Sequence, residues 1–395
     1  MSLLRNVFIV GAKRTAFGAY GGKLRDHTAT DLAVLAGKAT LEQAKVAPEA
    51  VTSVVVGMVG QTSEDGAYIS RHTGLRCGIP DHVPALTVNR LCGSGFQAMI
   101  TGAQEIQLKE SEVVLTGGSE NMSNAPYALW GVRYGTKFGQ DLKLKCQLWA
   151  TLTDQYIKTP MGITAENLAE KYSLTKADCD AFALLSQQRW KTANTAGVFK
   201  EEITPITIKS KKGEITVDTD EHPRDTSLEI LGKLPCVFKK GGTVSAGNAS
   251  GVCDGAAMVL VASEDAVKQH NLKPLAKLVA YSVSGCDPHI MGIGPVPAIR
   301  NLLTKTGLEL KDIDVIEVNE AFAPQFLSVQ KELGLDMENT NVNGGAIALG
   351  HPVAASGGRI TANLTYELQR RQGRYAIGSA CIGGGQGIAV LLERC

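Results

Sequence analysis

Val88-Asn89-Arg90-Leu91-Cys92-Gly93-Ser94-Gly95-Phe96 places a cysteine between a short apolar strand and an amphipathic helix. The strand is predicted over Ala85-Leu86-Thr87-Val88. Beyond the glycines, apolar side chains recur at the spacing of one helical face: Phe96, Met99, Ile100, Ala103 and Ile106. A thiol at a helix start lies near unpaired amides that favour the thiolate. Cys92 is therefore a candidate nucleophile, and a buried structural cysteine at a tight turn is the alternative.

The composition is that of a globular chain with more than one domain. The 395 residues, 44% of them hydrophobic, exceed one ordinary core, so two or three domains are expected. A net charge of +1 argues against a nucleic-acid binder. No apolar run approaches the roughly 18 residues that span a bilayer, so no membrane span is predicted. The nine cysteines are odd in number and form no Cys-x-x-Cys, which predicts free thiols in a reducing compartment and no metal site.

The N-terminus carries basic residues and no acid before Asp26. Such a start is typical of a mitochondrial targeting signal, which would place the protein in the mitochondrial matrix. Because Val7-Phe8-Ile9-Val10 already has the pattern of a core strand, little could be cleaved off. An uncleaved signal and a chance composition, with a cytoplasmic location, both stay open.

A repeat is visible when the C-terminal part is written beneath the N-terminal part with a shift of 262 residues, which places Ser94-Gly95 on Ser356-Gly357. The last strand of each copy, 254–260 in the first and 386–392 in the second, matches at a shift of only 132. The difference between the two shifts means that about 130 residues are inserted in the first copy before its last strand. Strands this apolar must be covered on both faces. The pattern predicts an α/β protein of two duplicated halves, packed as two sheets with helices on both sides.

The insertion sets the predicted domain boundaries. The first half is expected over 1–119 and 243–269, the inserted loop domain over 120–242, and the second half over 270–395. Within the insertion we predict a helix over 176–194. The basic run Lys209-Ser210-Lys211-Lys212 is predicted to be a solvated hairpin, because acidic residues lie nearby.

Three C-terminal stretches place polar groups after predicted strands. Asn319 ends the strand 315–318, His351 lies in a glycine-rich loop, and Cys381 precedes Gly383-Gly384-Gly385. A pseudo-twofold arrangement of the halves would bring these loops to Cys92 in one cleft. A lone histidine is more often structural than catalytic, but the position of His351 in the repeat partner of the Cys92 turn favours a catalytic role.

From Arg5 to the last strand, the sequence resembles the thiolase family. Five stretches match the family's motifs in order: Asn89-Arg90-Leu91-Cys92-Gly93-Ser94-Gly95, Gly242-Thr243-Val244-Ser245-Ala246-Gly247-Asn248-Ala249-Ser250-Gly251, Asn319-Glu320-Ala321-Phe322, Gly350-His351-Pro352 and Cys381-Ile382-Gly383-Gly384-Gly385. The resemblance implies the thiolase fold, a layered α-β-α-β-α core plus the inserted loop domain. It also implies thiolytic cleavage of a 3-ketoacyl-CoA to acetyl-CoA and a shortened acyl-CoA in β-oxidation. Coenzyme A is then a co-substrate, and no cofactor is bound permanently.

The resemblance further implies a role for each reacting group. Cys92 attacks the 3-keto carbon and becomes acylated, after His351 takes its proton. A water held by Asn319 helps His351 to polarise a thioester carbonyl. Cys381 protonates the acetyl-CoA carbanion and then deprotonates the incoming CoA, while amides of Cys92 and Gly383 form an oxyanion hole. Because one thiol must be charged while the other is protonated, their environments are expected to separate the two pKa values.

Contacts with CoA are likewise implied by the resemblance. The expected set comprises Arg224 and Thr226 at the nucleotide end, Phe238 along the site, Ala246 and Ser250 beside the pantetheine arm, and Met161 at the acyl pocket. Cations and turn amides suit the phosphates of CoA. A solvated arginine at Arg224 and an ordinary core methionine at Met161 stay open.

One position departs from the family pattern. Thiolases usually carry glycine two residues after the proline of the Gly-His-Pro motif, and this sequence has Ala354 there. If the backbone required a positive φ, alanine would cost on the order of 1 kcal/mol and could tilt the His351 loop. No reacting group is lost, so an active enzyme is predicted.

Alternative functions and the assembly are not fixed by the motifs. A biosynthetic acetoacetyl-CoA thiolase would share all of them. A non-catalytic acyl-CoA carrier on the same fold would have no use for two thiols and an imidazole in one cleft. Ketoacyl synthases and hydroxymethylglutaryl-CoA synthases lack the Cys381 stretch. The family pairs its subunits into dimers and tetramers, so a homotetramer is expected, tied by the loop near 123–138.

Overall fold

The computed structural model describes residues 5–210 and 213–395 of the chain. Its strands, in chain order, are β1 (Val7–Thr15), β2 (Gly18–Ala19), β3 (Ser53–Gly57), β4 (Ala85–Val88), β5 (Val113–Asn121), β6 (Tyr127–Leu129), β7 (Leu144–Cys146), β8 (Thr153–Asp154), β9 (Thr159–Pro160), β10 (Ile203–Thr204), β11 (Ile206–Ser210), β12 (Gly213–Val217), β13 (Cys253–Ser263), β14 (Ala276–Gly285), β15 (Val315–Val318), β16 (Tyr375–Ile382) and β17 (Gln386–Arg394). Its α-helices are α1 (Ala29–Ala44), α2 (Ile69–Arg76), α3 (Ser94–Gln107), α4 (Gln147–Thr151), α5 (Met161–Lys171), α6 (Lys176–Thr195), α7 (Leu228–Lys233), α8 (Glu264–Gln269), α9 (Pro295–Thr306), α10 (Ala323–Leu333), α11 (Ala346–Leu349) and α12 (Ser356–Arg371).

The strand order confirms the duplication. The central sheet runs β15-β16-β17-β14-β1-β13-β5-β3-β4, so the C-terminal half (β15, β16, β17, β14) and the N-terminal half (β3, β5, β13, β1) share one order. The halves meet at β1 and β14, where Val7 to Ile9 pair antiparallel with Leu278 to Ala276. The expectation of two separate sheets is corrected at this point. The unpaired backbone groups of the two edge strands satisfy each other across the junction.

Five layers result from this pairing. Helices α3 and α12 pack against each other and against strands of both half-sheets, so they form the middle layer. Helix α1 covers the outer face of the N-terminal half and α9 covers that of the C-terminal half. A side-chain carbon on Gly95 would lie 2.7 Å from the Gly358 backbone nitrogen, so this glycine lets α3 and α12 approach at their N-terminal ends. The expected α-β-α-β-α core is therefore confirmed.

The segment between β5 and β13 contains small two-stranded sheets and four helices, α4 to α7, within the described residues. Helix α6 confirms the helix predicted over 176–194, and β11 pairs antiparallel with β12 as the predicted hairpin. Lys211 and Lys212 of the basic run lie outside the described residues, as do residues 1–4 of the predicted mitochondrial targeting signal. Among the helices of the described residues, none has the length and apolarity to cross a membrane.

Candidate active site

Cys92 lies in a tight turn that links β4 to α3. A short 3₁₀ turn, Leu91–Gly93, precedes the start of α3 at Ser94. Leu91 has a φ of 47°, in the left-handed region that side-chain-bearing residues rarely adopt. The Ser94 hydroxyl donates to the Leu91 carbonyl at 2.7 Å and accepts from the Arg90 amide at 2.9 Å. The predicted strand-to-helix turn is confirmed. Its strained residue is Leu91, immediately before Cys92.

Burial dominates the surroundings of the Cys92 thiol. Although the residue as a whole is partly exposed, burial raises the pKa of the thiol to about 11. The amides of Gly383 and of Cys92 itself act in the opposite direction, and the charge of Glu120 raises the pKa further. The amides at the helix start favour the thiolate as expected, but burial outweighs them, so the net shift of the Cys92 pKa is upward.

Gly383 lies where its amide can reach Cys92. A side-chain carbon there would be 3.1 Å from Leu91 Cδ1 and 3.3 Å from Met161 Sδ, so a larger residue would require these two side chains to shift. The pair of amides that acts on the sulfur is the pair expected to form an oxyanion hole. Such preorganised donors stabilise a developing anion with no reorganisation at the moment of reaction.

His351 is held as a neutral base. Its Nδ1 lies 2.5 Å from the Ser356 hydroxyl, which donates to the Pro352 carbonyl at 3.2 Å. We assign the ring proton to Nδ1, because Asn319 Nδ2 is a donor facing Nε2 and the Ser356 hydroxyl can accept from Nδ1–H while it donates to Pro352. Burial lowers the pKa of His351 to about 4, so the ring is uncharged at neutral pH. Its backbone amide donates to the Gly251 carbonyl at 3.0 Å.

Asn319 lies beside Nε2 of His351. Its Nδ2 is 3.4 Å from His351 Nε2, and its backbone amide donates to the Ser379 carbonyl at 2.9 Å. The side-chain oxygen of Asn319 is buried and accepts no hydrogen bond from the described part of the chain. A buried amide oxygen of this kind is free to accept from a water or a substrate group.

Cys381 is the second buried thiol of the site. It lies on β16 and packs with Met291 and Ala321, flanked by Met161 and Phe322. Burial raises the pKa of Cys381 well above its usual range, and the charges of Cys92 and Cys286 raise it further. The two pKa values were expected to be pushed apart. Both are raised, and that of Cys381 is raised well above its usual range, partly because a charge on Cys92 disfavours a second charge beside it.

The predicted catalytic residues converge from both halves of the fold. One hydrogen bond joins Asn319 to His351, the Gly383 amide acts on Cys92, and the Cys92 charge acts on Cys381. The loop that follows His351 meets the start of α3, where the Ala354 carbonyl lies 2.8 Å from the position of a side-chain carbon on Gly95. The arrangement can form a thioester at one sulfur and move protons at the other sulfur and at the imidazole. The role of each residue stays a prediction.

Of the residues expected to contact CoA, some lie near Cys381 and others lie farther from the catalytic residues. Phe238 packs edge-on against Phe322 with ring centroids 6.2 Å apart, and the Ser250 amide donates to the Ala321 carbonyl at 3.0 Å. Together with Met161 they lie on the Cys381 side of the site. Ala246 is exposed and Thr226 half-buried. Arg224 is exposed beside a cavity of about 270 Å³ and contacts no catalytic residue in the described structure.

Two residues near the site were not identified from the sequence. Ser356 could have been identified from the repeat, which aligns it with Ser94. Both hydroxyls hydrogen-bond in the turn beside a catalytic side chain. Nothing in the sequence pointed to Glu120. Its carboxylate accepts from the amides of Val59 and Gly60 at 3.1 and 2.9 Å, contacts that tertiary packing alone creates.

Ala354 fits its position without backbone strain. It is fully buried and is not among the described residues with positive φ. We therefore expect Ala354→Gly to change turnover by no more than about threefold and to lower the free energy of unfolding by about 0.5–1 kcal/mol, because glycine gains freedom in the unfolded chain. Steady-state kinetics measures the change in turnover, and urea unfolding measures the change in stability. A rise in turnover of several orders of magnitude would contradict this account.

Alkylation of Cys92 by iodoacetamide should rise steeply with pH. With the pKa of Cys92 near 11, the thiolate fraction grows about tenfold per pH unit between pH 6 and 9. The rate is measured by mass spectrometry of the peptide that contains Cys92. A plateau below pH 7 would mean that the free protein holds a stable thiolate.

Replacing Ser356 by alanine is expected to lower kcat about 10- to 100-fold with a smaller change in KM. Loss of its hydroxyl removes the partner that fixes the His351 tautomer. Ser356→Thr keeps a hydroxyl and should retain more activity. Equal losses in the alanine and threonine variants would indicate a packing defect.

Comparisons with known proteins agree with this geometry. Residues 7–265 match the family model "Thiolase, N-terminal domain", and residues 272–394 match "Thiolase, C-terminal domain". The chain is 64% identical over 394 residues to "3-ketoacyl-CoA thiolase, mitochondrial" of Mus musculus, covering 100% of this chain and 99% of that protein. Its fold matches the crystal structure of human mitochondrial 3-ketoacyl-CoA thiolase with a TM-score of 0.99 at 63% identity over 100% of both chains. The human enzyme in complex with CoA gives a TM-score of 0.98 at 62% identity, over 100% of this chain and 99% of that one.

Proposed function

The chain belongs to the thiolase family, and we infer that it catalyses thiolytic cleavage of 3-ketoacyl-CoA by CoA, as an acetyl-CoA C-acyltransferase of β-oxidation. The observation that carries this function is the pair of neighbouring thiols, Cys92 and Cys381, with a neutral His351 in the loop that meets the start of α3. The full-length identity to enzymes named 3-ketoacyl-CoA thiolase supports it.

In the proposed cleavage step, Cys92 is the nucleophile. His351 Nε2 accepts the Cys92 proton as the sulfur attacks the 3-keto carbon, and the amides of Cys92 and Gly383 donate to the oxyanion. The C2–C3 bond then breaks, its electron pair forms the acetyl-CoA carbanion, and Cys381 supplies the proton to C2. Cys92 is left as a thioester of the shortened acyl group, and Cys381 as a thiolate.

In the return step, the Cys381 thiolate takes the proton of the incoming CoA thiol. The CoA sulfur attacks the Cys92 thioester, and the amide pair again stabilises the tetrahedral oxyanion. Collapse releases the acyl-CoA, and the proton held by His351 returns to Cys92. The raised pKa values of both thiols make them strong bases once ionised, which suits proton abstraction from carbon and sulfur acids.

CoA is proposed to bind along the Phe238 and Ser250 side of the site. Phe238 lines the site, Ala246 and Ser250 flank the pantetheine arm, Met161 touches the acyl pocket, and Arg224 and Thr226 meet the nucleotide end. The CoA complex of the human relative supports CoA as a co-substrate. We propose no permanently bound cofactor, and we assign CoA binding and subunit contacts to the inserted segment 120–242.

A mitochondrial location is supported by the mitochondrial names of the relatives. We propose the matrix as the compartment, with an uncleaved N-terminal signal. The proposed assembly is a homotetramer. The hairpin of β6 and β7 exposes aromatic residues that a partner could cover: Tyr127, Trp130, Tyr134 and Phe138.

A thiolysis assay tests the function against its rivals. The purified chain should cleave acetoacetyl-CoA and longer 3-ketoacyl-CoA substrates when CoA is added. Activity confined to acetoacetyl-CoA would favour a biosynthetic acetoacetyl-CoA thiolase. Absence of thiolysis with every chain length would favour a non-catalytic acyl-CoA carrier.

A further inference from the structure

Glu320 is a fully buried carboxylate to which the proposed mechanism gives no role. It follows Asn319 directly, in the loop between β15 and α10. A buried carboxylate is costly unless hydrogen-bond donors satisfy its oxygens. Burial raises the pKa of Glu320, and the hydrogen bonds that it accepts act in the opposite direction. The donors around this carboxylate therefore indicate what it holds in place.

Three donors surround the Glu320 carboxylate, and each comes from a different element. Oε1 accepts from the side-chain amide of Asn341 at 2.9 Å. Oε2 accepts from the Ser186 hydroxyl at 2.6 Å and from the Ile347 backbone amide at 3.2 Å. Ser186 belongs to α6 of the inserted segment, Ile347 to α11, and Asn341 to the loop between α10 and α11. Glu320 thus joins the loop after β15 to α6, to α11 and to the loop before α11.

The contact with Asn341 fixes the backbone on the N-terminal side of Asn319. The Asn341 side-chain oxygen accepts from the Val318 amide, and its side-chain nitrogen donates to the Val318 carbonyl, both at 2.9 Å. The second proton of that nitrogen goes to Glu320. Asn341 has a φ of 49°, a left-handed conformation that asparagine adopts more readily than most residues. One network therefore holds the residues on both sides of Asn319.

The contact with Ile347 fixes the segment that leads to His351. Ile347 lies in the first turn of α11, where a helix leaves its amides without a carbonyl partner, and Glu320 supplies one. Gly345 makes this approach possible, because a side-chain carbon there would lie 2.4 Å from the Glu320 carboxyl carbon. Gly350 and His351 follow α11 directly, so the position of α11 sets where His351 enters the site.

We propose that Glu320 is a positioning residue for catalysis, which holds the loops of Asn319 and His351 so that their side chains meet. Asn319 Nδ2 lies 3.4 Å from His351 Nε2, and Glu320 is a common anchor of the two loops. The carboxylate acts through these loops, since its hydrogen bonds in the described structure go to no catalytic side chain. The proposal rests on the proposed function and on the expected role of Asn319 in helping His351 to polarise a thioester carbonyl.

Glu320→Gln is the primary test of this proposal. Either orientation of the new amide turns an NH₂ group towards an N–H of Asn341 or of Ile347, which can only donate. We expect kcat of thiolysis to fall about 10- to 100-fold. The KM for CoA should change by no more than about threefold, because the residues proposed to contact CoA lie outside the loops that Glu320 anchors. Steady-state thiolysis of acetoacetyl-CoA measures both constants.

Glu202→Gln is the matched control. Glu202 is also fully buried, but its carboxylate accepts from Arg14 of β1 at 2.6 Å. The control should lower the midpoint of thermal unfolding and keep kcat within about threefold of the wild type. Equal losses of kcat in the two variants would overturn the proposal, since they would reflect the general loss of a buried carboxylate.

A double-mutant cycle with Asn319→Ala separates positioning from a general structural defect. Without the Asn319 side chain, the pair that Glu320 aligns no longer exists, while Ser356 and the Gly251 carbonyl still hold His351. Glu320→Gln should then lower kcat by no more than about threefold further. Losses that multiply in the double variant would contradict positioning through this pair.

If Glu320→Gln fails to fold, Ser186→Ala gives the test. It removes one donor to the carboxylate and the acceptor of the Gly345 amide. We expect kcat to fall about three- to tenfold with an unchanged KM. Wild-type kcat in this variant would overturn the proposal and leave the proposed function intact, whereas wild-type protein without thiolysis would refute the proposed function itself.

Discussion

Replacing Cys92 by alanine is expected to lower thiolysis at least about 10⁴-fold, the scale of loss that follows removal of a covalent nucleophile. The variant keeps the Gly383 amide, the neutral His351 and the Cys381 thiol, but no sulfur remains to carry the acyl group. Incubation with a 3-ketoacyl-CoA should yield no covalent acyl adduct in the intact mass of the protein. Steady-state thiolysis and mass spectrometry together measure this result.

Cys77→Ala is the matched control for this experiment. Cys77 is also a buried thiol, and burial raises its pKa to about 11, as it does for Cys92. Cys77, however, packs in the outer core of the N-terminal half. The control should keep near-wild-type turnover and should form the acyl adduct. Turnover of Cys92→Ala within tenfold of the wild type would show that another group carries the acyl chain.

The fold was largely predictable because its strands are apolar and its halves repeat. The constant spacing that places Ser94 on Ser356 corresponds to the equivalent helices α3 and α12. Hydrogen bonding between β1 and β14 was not predictable, since nothing in the repeat itself specifies what the edge strands pair with. Edge pairing depends on how two complete halves meet, which is a tertiary property.

The reacting side chains were predictable from their motifs, and their protonation states were not. Cys92 at a helix start suggested a thiolate, because sequence shows the donors nearby. It does not show the depth of burial, which raises the pKa of Cys92 and lowers that of His351. Glu120 escaped notice for a similar reason, since the amides of Val59, Gly60 and Ala354 gather around it only in the folded chain.

These protonation states imply that the site is uncharged at Cys92, His351 and Cys381 before substrate binds. An ion pair of Cys92 and His351 would need a thiol with a raised pKa to transfer its proton to an imidazole with a lowered one. Proton transfer is therefore coupled to attack on the keto carbon, where the amides of Cys92 and Gly383 receive the negative charge. The pH dependence of kcat/KM should show no loss from His351 protonation until the pH approaches 4.

Replacing Cys381 by alanine is expected to lower C–C bond cleavage about 10³-fold or more and to slow acyl exchange by a smaller factor. Cleavage releases a carbanion that needs the Cys381 proton, whereas transfer of an acetyl group from acetyl-CoA to Cys92 releases a weakly basic CoA thiolate that water can protonate. The variant should therefore form a covalent acetyl adduct on Cys92 with acetyl-CoA. Intact-mass measurements and thiolysis kinetics separate the two reactions.

Cys286→Ala provides a neighbouring control, because Cys286 is partly buried and its charge acts on Cys381. It should cleave substrate within about threefold of the wild-type rate, since the thiol that donates the proton is unchanged. Loss of cleavage together with loss of the acetyl adduct, even after prolonged incubation of Cys381→Ala with acetyl-CoA, would mean that the alanine disturbs the Cys92 turn. Near-wild-type cleavage in that variant would instead assign carbanion protonation to another group, with His351 next to Cys92 as the remaining acid, and the two-thiol mechanism would fail.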